Sequence, residues 1–174
     1  MLPSFEQICM GNSSVASIAE SARRHGWKTS SYLDTSYFLW FKEQLSAKGP
    51  LLDFRSFEKA GLSLLLYRNQ IRPNEKSGYK SVTVIGCDMI DMSGATEIDD
   101  PALEAAFGPL DDSKRTPALD SSGLVMRFWP KWVKDPSKRI IYMREKKREK
   151  NDLASDPHQM AGKAMLRSSW DEQR

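Results

Sequence analysis

The sequence has few of the residues from which active sites are most often built. Among its 174 residues are two histidines, His25 and His158, and two cysteines, all far apart along the chain. A structural zinc site needs closely spaced cysteine or histidine pairs, and a nucleophilic site needs a base within hydrogen-bond reach. Neither pattern occurs. The sequence therefore predicts no metal site, and it shows no recognisable set of catalytic residues that includes a histidine or cysteine.

Two further kinds of segment are missing. Neither G-x-G-x-x-G nor G-x-x-x-x-G-K-[ST] occurs, so no nucleotide or other cofactor is predicted. No apolar run approaches the roughly 20 residues that cross a bilayer, so no transmembrane segment is predicted. The first residues also lack the basic start and apolar centre of a secretory leader. We expect either that the protein stays in the cytoplasm or that Met1 replaces a removed leader.

What is present is typical of a folded globular protein. The apolar fraction is 40% and the charged fraction 28%, close to ordinary usage. At this length one domain can bury a large core. We expect one α+β domain over residues 1–150, followed by a polar tail, 151–174, that is partly helical or disordered.

Hydrophobic periodicity predicts the order of helices and strands. Apolar residues at three-and-four spacing predict a first helix at 14–25 and a second after Asp34, although the aromatic run SYFLWF also fits a buried strand. Alternation and turn residues predict strands at 61–71, 79–90, 123–130 and 138–147, with a short helix, DPALEAAFG, between the second and third strands. This order predicts an antiparallel sheet of about four strands with helices packed on one face, and it suggests a two-fold helix-strand-strand repeat.

The two cysteines lie in segments that packing can bring together. Cys9 precedes the first helix, and Cys87 is near the end of a strand that this helix could cover. A disulfide between them would close a loop of nearly eighty residues and contribute about 4 kcal/mol in the chain-entropy model. Two buried, reduced cysteines acting as small hydrophobes are the alternative, which is common in cytosolic proteins. The residues alone leave both interpretations open.

A family resemblance bears on this choice. The opening FEQIC, the helix ending in HGW, the CDMI strand and the DPALEAAFG helix resemble a group of uncharacterised proteobacterial proteins. Members of this group combine an early Phe-x-x-x-Cys with a second cysteine on a central strand, and many are exported. The resemblance covers about residues 5–130 and implies a Cys9–Cys87 disulfide and a periplasmic or secreted location. It carries no activity, and this chain departs from the group in its basic segment and long tail.

Charge is divided into two opposed blocks. Residues 81–113 contain eight acidic residues and no lysine or arginine, whereas residues 114–150 contain twelve basic and four acidic residues. If the blocks meet in the fold they neutralise one another, and if they stay apart they form a dipolar surface. Five acidic side chains cluster without the spacing of an EF-hand, which indicates a solvated acidic loop rather than a calcium site: Asp88, Asp91, Glu97, Asp99 and Asp100.

The basic block interleaves cations with aromatic rings, the composition of a surface that binds single-stranded nucleic acid or another anion. The candidate residues are Arg127, Trp129, Lys131, Trp132, Lys134, Lys138, Arg139, Tyr142 and Arg144. The same composition fits an antiparallel hairpin whose aromatics enter the core and whose lysines meet water, which is the interpretation we favour.

Three functional hypotheses follow. The first is a non-enzymatic binding or accessory protein that contacts a protein partner. The second is a nucleic-acid-binding module that uses the hairpin at 127–148. The third is an enzyme in which carboxylates such as Asp88 and Asp91 act in a cleft without histidine.

Overall fold

The computed structural model describes residues 1–11, 13–30, 36–72, 81–91, 93, 96–110, 124–145 and 164–172. In these residues the helices are α1 (Leu2–Phe5), a π-helix (Glu6–Met10), α2 (Val15–Arg24), α3 (Ser36–Lys48) and α4 (Asp100–Phe107). The strands are β1 (Lys28–Thr29), β2 (Leu51–Lys59), β3 (Leu62–Ile71), β4 (Val82–Asp91), β5 (Leu124–Trp129), β6 (Arg139–Glu145) and β7 (Ala164–Asp171). None of the described helices is long and apolar enough to span a membrane.

Local sequence signals fix the ends of α2 and α4. The Ser14 hydroxyl accepts a hydrogen bond from the Ser17 N–H at 3.1 Å, and the Ser17 hydroxyl accepts one from the Ser14 N–H at 3.2 Å, which completes a capping box. Gly26 follows α2 with φ +77°, a conformation that favours glycine. At α4, the Asp99 carboxylate accepts from the Ala102 N–H at 2.9 Å. These two predicted helices are confirmed, and the segment after Asp34 is the helix α3 and not the alternative strand.

The strands form one antiparallel sheet in the order β1-β2-β3-β4-β7-β6-β5. Two three-stranded meanders, β2-β3-β4 and β5-β6-β7, meet where β4 pairs with β7. At this junction Met89 lies opposite Leu166 and Cys87 lies opposite Ser168. The α+β class and antiparallel pairing are confirmed, but the sheet has seven strands, not about four.

Each face of the sheet has its own core. The disulfide face carries Cys87 and packs against the N-terminal segment, α2 and α4. Its core residues include Phe5, Ile8, Ile18, Leu64, Leu66, Met89, Leu103, Phe107, Tyr142 and Leu166. The opposite face, called the α3 face, packs against α3 through a smaller cluster that contains Phe41, Leu45, Leu65, Tyr67, Ile90 and Met165. Helices thus cover both faces, which corrects the prediction of one.

Two further predictions are corrected. β7 lies between β4 and β6, so residues 164–171 belong to the centre of the sheet and not to a disordered or helical tail after residue 150. The predicted repeat was helix-strand-strand, whereas each meander has three strands and follows a helix. Because α3 and α4 lie on opposite faces, the two halves are not related by a two-fold axis through the sheet. The predicted loops at 72–78 and 109–122 fall mostly outside the described residues.

Candidate functional site

The two cysteines form a disulfide at the centre of the disulfide face. Cys9 belongs to the π-helix and Cys87 to β4, and their Cα atoms are 5.7 Å apart. Both residues are completely buried. The bond joins the N-terminal segment to the middle of the sheet, so the pairing that the resemblance implied is present in the fold.

The α3 face contains a buried cluster of polar side chains. Arg167 on β7 donates to the Asp88 carboxylate on β4, with Nη2 2.6 Å from Oδ2. The Tyr67 hydroxyl also bonds to Asp88, and burial raises the pKa of Asp88 while both neighbours oppose that shift. Burial, followed by the charge of Asp88, raises the pKa of Tyr67 well above its usual range. The Arg167 guanidinium lies 5.4 Å from the Phe41 ring centroid, so α3 closes over the cluster.

The acidic residues near the end of β4 also have internal partners. One Asp91 oxygen accepts from the Ser93 N–H at 2.8 Å, and the other accepts from the Thr96 N–H at 2.7 Å. Burial alone would raise the pKa of Asp91, but the hydrogen bonds from Ser93 and Thr96 outweigh it and lower the pKa to about 2. Among the described residues no group of three histidine, cysteine or acidic side chains is placed to hold a metal ion. The carboxylates of Asp88 and Asp91 thus both accept hydrogen bonds from residues within the fold.

The nine basic and aromatic candidates do not form one surface. The rings of Trp129, Trp132 and Tyr142 are buried in the core of the disulfide face. Trp129 Nε1 donates to the Gly108 carbonyl at 3.0 Å, and Trp132 Nε1 donates to the Ala106 carbonyl at 3.1 Å. The three rings are therefore unavailable to stack on bases while the hairpin remains folded.

Most of the candidate cations are engaged as well. Arg127 pairs with Asp100 at 2.9 Å and Arg144 with Glu97 at 2.7 Å, so the acidic and basic blocks meet and neutralise one another here. Further along the hairpin, Arg139 pairs with Asp171, and Lys138 is buried. In the described part of the chain only Lys131 and Lys134, among these nine, are exposed.

Both exposed lysines lie on the connection between β5 and β6, which we name the basic turn, residues 130–137. Between them stands Val133, which is 65% exposed and, with Leu52, one of two large apolar side chains exposed in the described residues. Lys134 Nζ lies 5.8 Å from the Trp132 ring centroid. The turn thus presents one apolar side chain with a cation on either side.

Hydrogen bonds fix the backbone of the basic turn. The Trp132 N–H donates to the Lys138 carbonyl at 2.8 Å, the Asp135 N–H to the Trp132 carbonyl at 3.2 Å, and the Lys138 N–H to the Asp135 carbonyl at 3.0 Å. Asp135 Oδ1 accepts from both the Ser137 N–H and its hydroxyl, and these bonds lower the pKa of Asp135. The buried Trp132 ring attaches the turn to the core, so the exposed residues Lys131, Val133 and Lys134 belong to a segment that is hydrogen-bonded and packed.

Sequence reasoning included Lys131 and Lys134 but missed Val133. The segment KWVK places Trp132 and Val133 between two lysines, but this pattern does not show which of the two apolar residues faces the core. The buried role of Lys138 was also missed, because lysine is rarely buried without partners and those partners come from the other end of the chain.

The chain matches no protein family, no curated protein and no solved structure. Its own residues and fold are therefore the basis for the function proposed below.

Proposed function

We propose that this protein is a non-enzymatic binding or accessory protein that acts through contacts with another protein, and that the basic turn is its main contact point. The single observation that carries this proposal is the exposure of Val133 between Lys131 and Lys134 on a turn whose backbone is already fixed. Protein interfaces commonly combine an apolar centre with a polar rim, and the turn presents a small version of this pattern.

The rigidity of the turn supports a binding role. A segment that is ordered before binding loses little conformational entropy in the complex, so more of the contact energy appears as affinity. One valine and two lysines cover far less than the roughly 800 Å² that each partner buries in a standard interface. The footprint must therefore extend beyond the turn, and the adjacent outer edge of β5, with which no described strand pairs, is a suitable continuation.

The disulfide supports a periplasmic or secreted location. Disulfides persist in oxidising compartments and are rare in the cytosol, where thiols are kept reduced. The Cys9–Cys87 bond is completely buried at the centre of the fold, where it joins the N-terminal segment to β4. A structural disulfide of this kind, together with the resemblance to a group with many exported members, favours export over the cytoplasmic alternative.

The burial of the hairpin aromatics argues against the nucleic-acid alternative. Without Trp129, Trp132 and Tyr142 to stack on bases, that hypothesis retains only phosphate attraction to lysines such as Lys131 and Lys134. Such attraction is not specific and weakens steeply as salt rises.

A photo-crosslinking amino acid at position 133 tests the proposed contact. In the native host we expect a discrete protein adduct from position 133 and none from a matched exposed position on α2, Glu20. The double variant Lys131→Glu/Lys134→Glu should reduce the adduct. An adduct removed by nuclease, or the absence of any protein adduct from position 133, would contradict the proposal.

Thiol counting on protein from its native compartment tests the location, and we expect no free thiol.

A further inference from the structure

Lys138 links the basic turn to the N-terminal segment. Its Nζ donates to the Met10 carbonyl at 2.5 Å and lies 3.4 Å from the Cys9 carbonyl. These two carbonyls end the π-helix, where no further helical N–H follows to bond them, so the lysine caps that end. The ammonium also lies 4.6 Å from the Trp170 ring centroid.

The same residue closes the basic turn. The Lys138 carbonyl accepts from the Trp132 N–H, and the Lys138 N–H donates to the Asp135 carbonyl. One residue therefore makes both the backbone bonds that shape the turn and the side-chain bonds that reach the N-terminal segment. The backbone of the turn and the anchor in the N-terminal segment therefore share this residue.

The disulfide is attached to the residue that carries one of those carbonyl acceptors. Cys9, whose carbonyl is within reach of Lys138, is covalently joined to Cys87 on the central strand β4. Lys138 is only 3% exposed, and burial lowers the pKa of its ammonium. Its charge is compensated from two sides, by the carbonyls of the N-terminal segment and by the Asp135 carboxylate of the turn, whose Oδ2 lies 4.0 Å from Nζ. If the π-helix moved away, the long side chain would turn toward water.

We infer that the Cys9–Cys87 disulfide holds the basic turn in its binding shape, and that Lys138 transmits this constraint as a positioning residue. The inference rests on the proposed function for the importance of the turn. The inference also gives the disulfide a role beyond attaching the N-terminal segment to the sheet. Only the Lys138 side chain lies between the segment that carries Cys9 and the backbone of the basic turn.

Hydrogen exchange of the isolated protein tests the link. The reporters are the bonded amides of Trp132, Asp135 and Lys138, and the internal control is the β2–β3 pair around Phe57 and Leu64. In Cys9→Ala/Cys87→Ala and in Lys138→Met, the turn amides should exchange about ten-fold faster or more, since a charge-assisted buried hydrogen bond is lost. In Lys138→Met the β2–β3 amides should stay protected. In the cysteine variant, faster exchange of these control amides reports the lower overall stability, and the turn amides should lose more protection than they do.

Three further variants sharpen the test. Combining Lys138→Met with the cysteine substitutions should add little, because both act through one link. Lys138→Arg, which keeps a cationic donor, should retain most of the protection. Arg139→Gln, which removes the neighbouring ion pair to Asp171, should leave the turn amides unchanged.

Normal turn protection in folded Cys9→Ala/Cys87→Ala would overturn the inference. If that variant does not fold, Lys138→Met carries the test with the disulfide intact, and unchanged turn exchange in it would be equally decisive. These measurements need no partner. A negative exchange result therefore overturns only the link through Lys138 and says nothing about the crosslinking test. A missing adduct overturns only the proposed function and says nothing about the exchange result.

Discussion

Arg167 holds the carboxylate of Asp88 on the neighbouring strand in a bidentate contact. Its Nε lies 2.9 Å from Oδ1 and its Nη2 lies 2.6 Å from Oδ2. The Asp88 side chain is completely buried, whereas the Arg167 side chain is 22% exposed to solvent. The more deeply buried partner therefore depends on the other for compensation of its charge.

Arg167→Met should lower the free energy of unfolding by about 3 kcal/mol, because it leaves Asp88 without its counter-charge in the interior. Urea denaturation at neutral pH measures the loss. Asp88→Asn in the Arg167→Met background should recover part of that loss, since the neutral amide has no charge to compensate. Equal stability of the single and double variants would show that the pair is not coupled.

Gly86 provides space for the Tyr67 ring on the facing strand. The two residues lie opposite each other in the β3–β4 register, and a Cβ atom at position 86 would overlap the ring. Gly86→Ala should therefore destabilise the protein by about 1–3 kcal/mol, the usual range for overpacking in a core. Thermal or urea unfolding measures this. In a Tyr67→Leu background the same substitution should cost much less, and an equal cost there would show that the ring is not the obstacle.

Part of the fold could be predicted from the sequence, because in several segments the local sequence pattern agrees with the structure that the segment adopts. The caps of α2 and α4 and the alternation in β3 to β6 identify those elements without tertiary information. β2 was missed because charged residues interrupt its apolar pattern and a register irregularity between Leu51 and Asp53 breaks the alternation. β7 was missed because Arg167 and Ser168 make a central strand look polar, and the partner of Arg167 lies 79 residues away.

The candidate site was harder to predict from the sequence, because its exposure and burial depend on tertiary partners that lie far away along the chain. Exposure of Val133 depends on which neighbour is anchored, and Trp132 is anchored by the Ala106 carbonyl of α4. Burial of Lys138 depends on carbonyls of the N-terminal segment. The cation and aromatic composition was visible, but only tertiary contacts decide which rings enter the core and which cations pair.

Ser168 offers a substitution that should not harm the protein. Its buried hydroxyl has no hydrogen-bond partner among the described residues. Removing an unsatisfied polar group relieves a desolvation cost, so Ser168→Ala should leave stability unchanged or raise it by up to about 1 kcal/mol. Ser56 is the matched control, because its buried hydroxyl donates to the Ser30 carbonyl at 3.3 Å, and Ser56→Ala should cost about 1 kcal/mol. A clear loss in Ser168→Ala under urea denaturation would contradict the prediction.

Asp91 should make the stability fall in acid. Its pKa of about 2 in the fold lies below the roughly 3.9 of an unfolded aspartate, so the folded state releases this proton more readily. Its stabilisation, up to about 2 kcal/mol, is thus complete above about pH 5 and is lost progressively as the pH falls to 2. Asp91→Asn, which cannot ionise, isolates this contribution from those of other carboxylates. The stability difference between wild type and variant should shrink steadily from pH 5 to pH 2 in urea titrations. A difference that stays constant over that range would mean that the hydrogen bonds from Ser93 and Thr96 do not select the charged form.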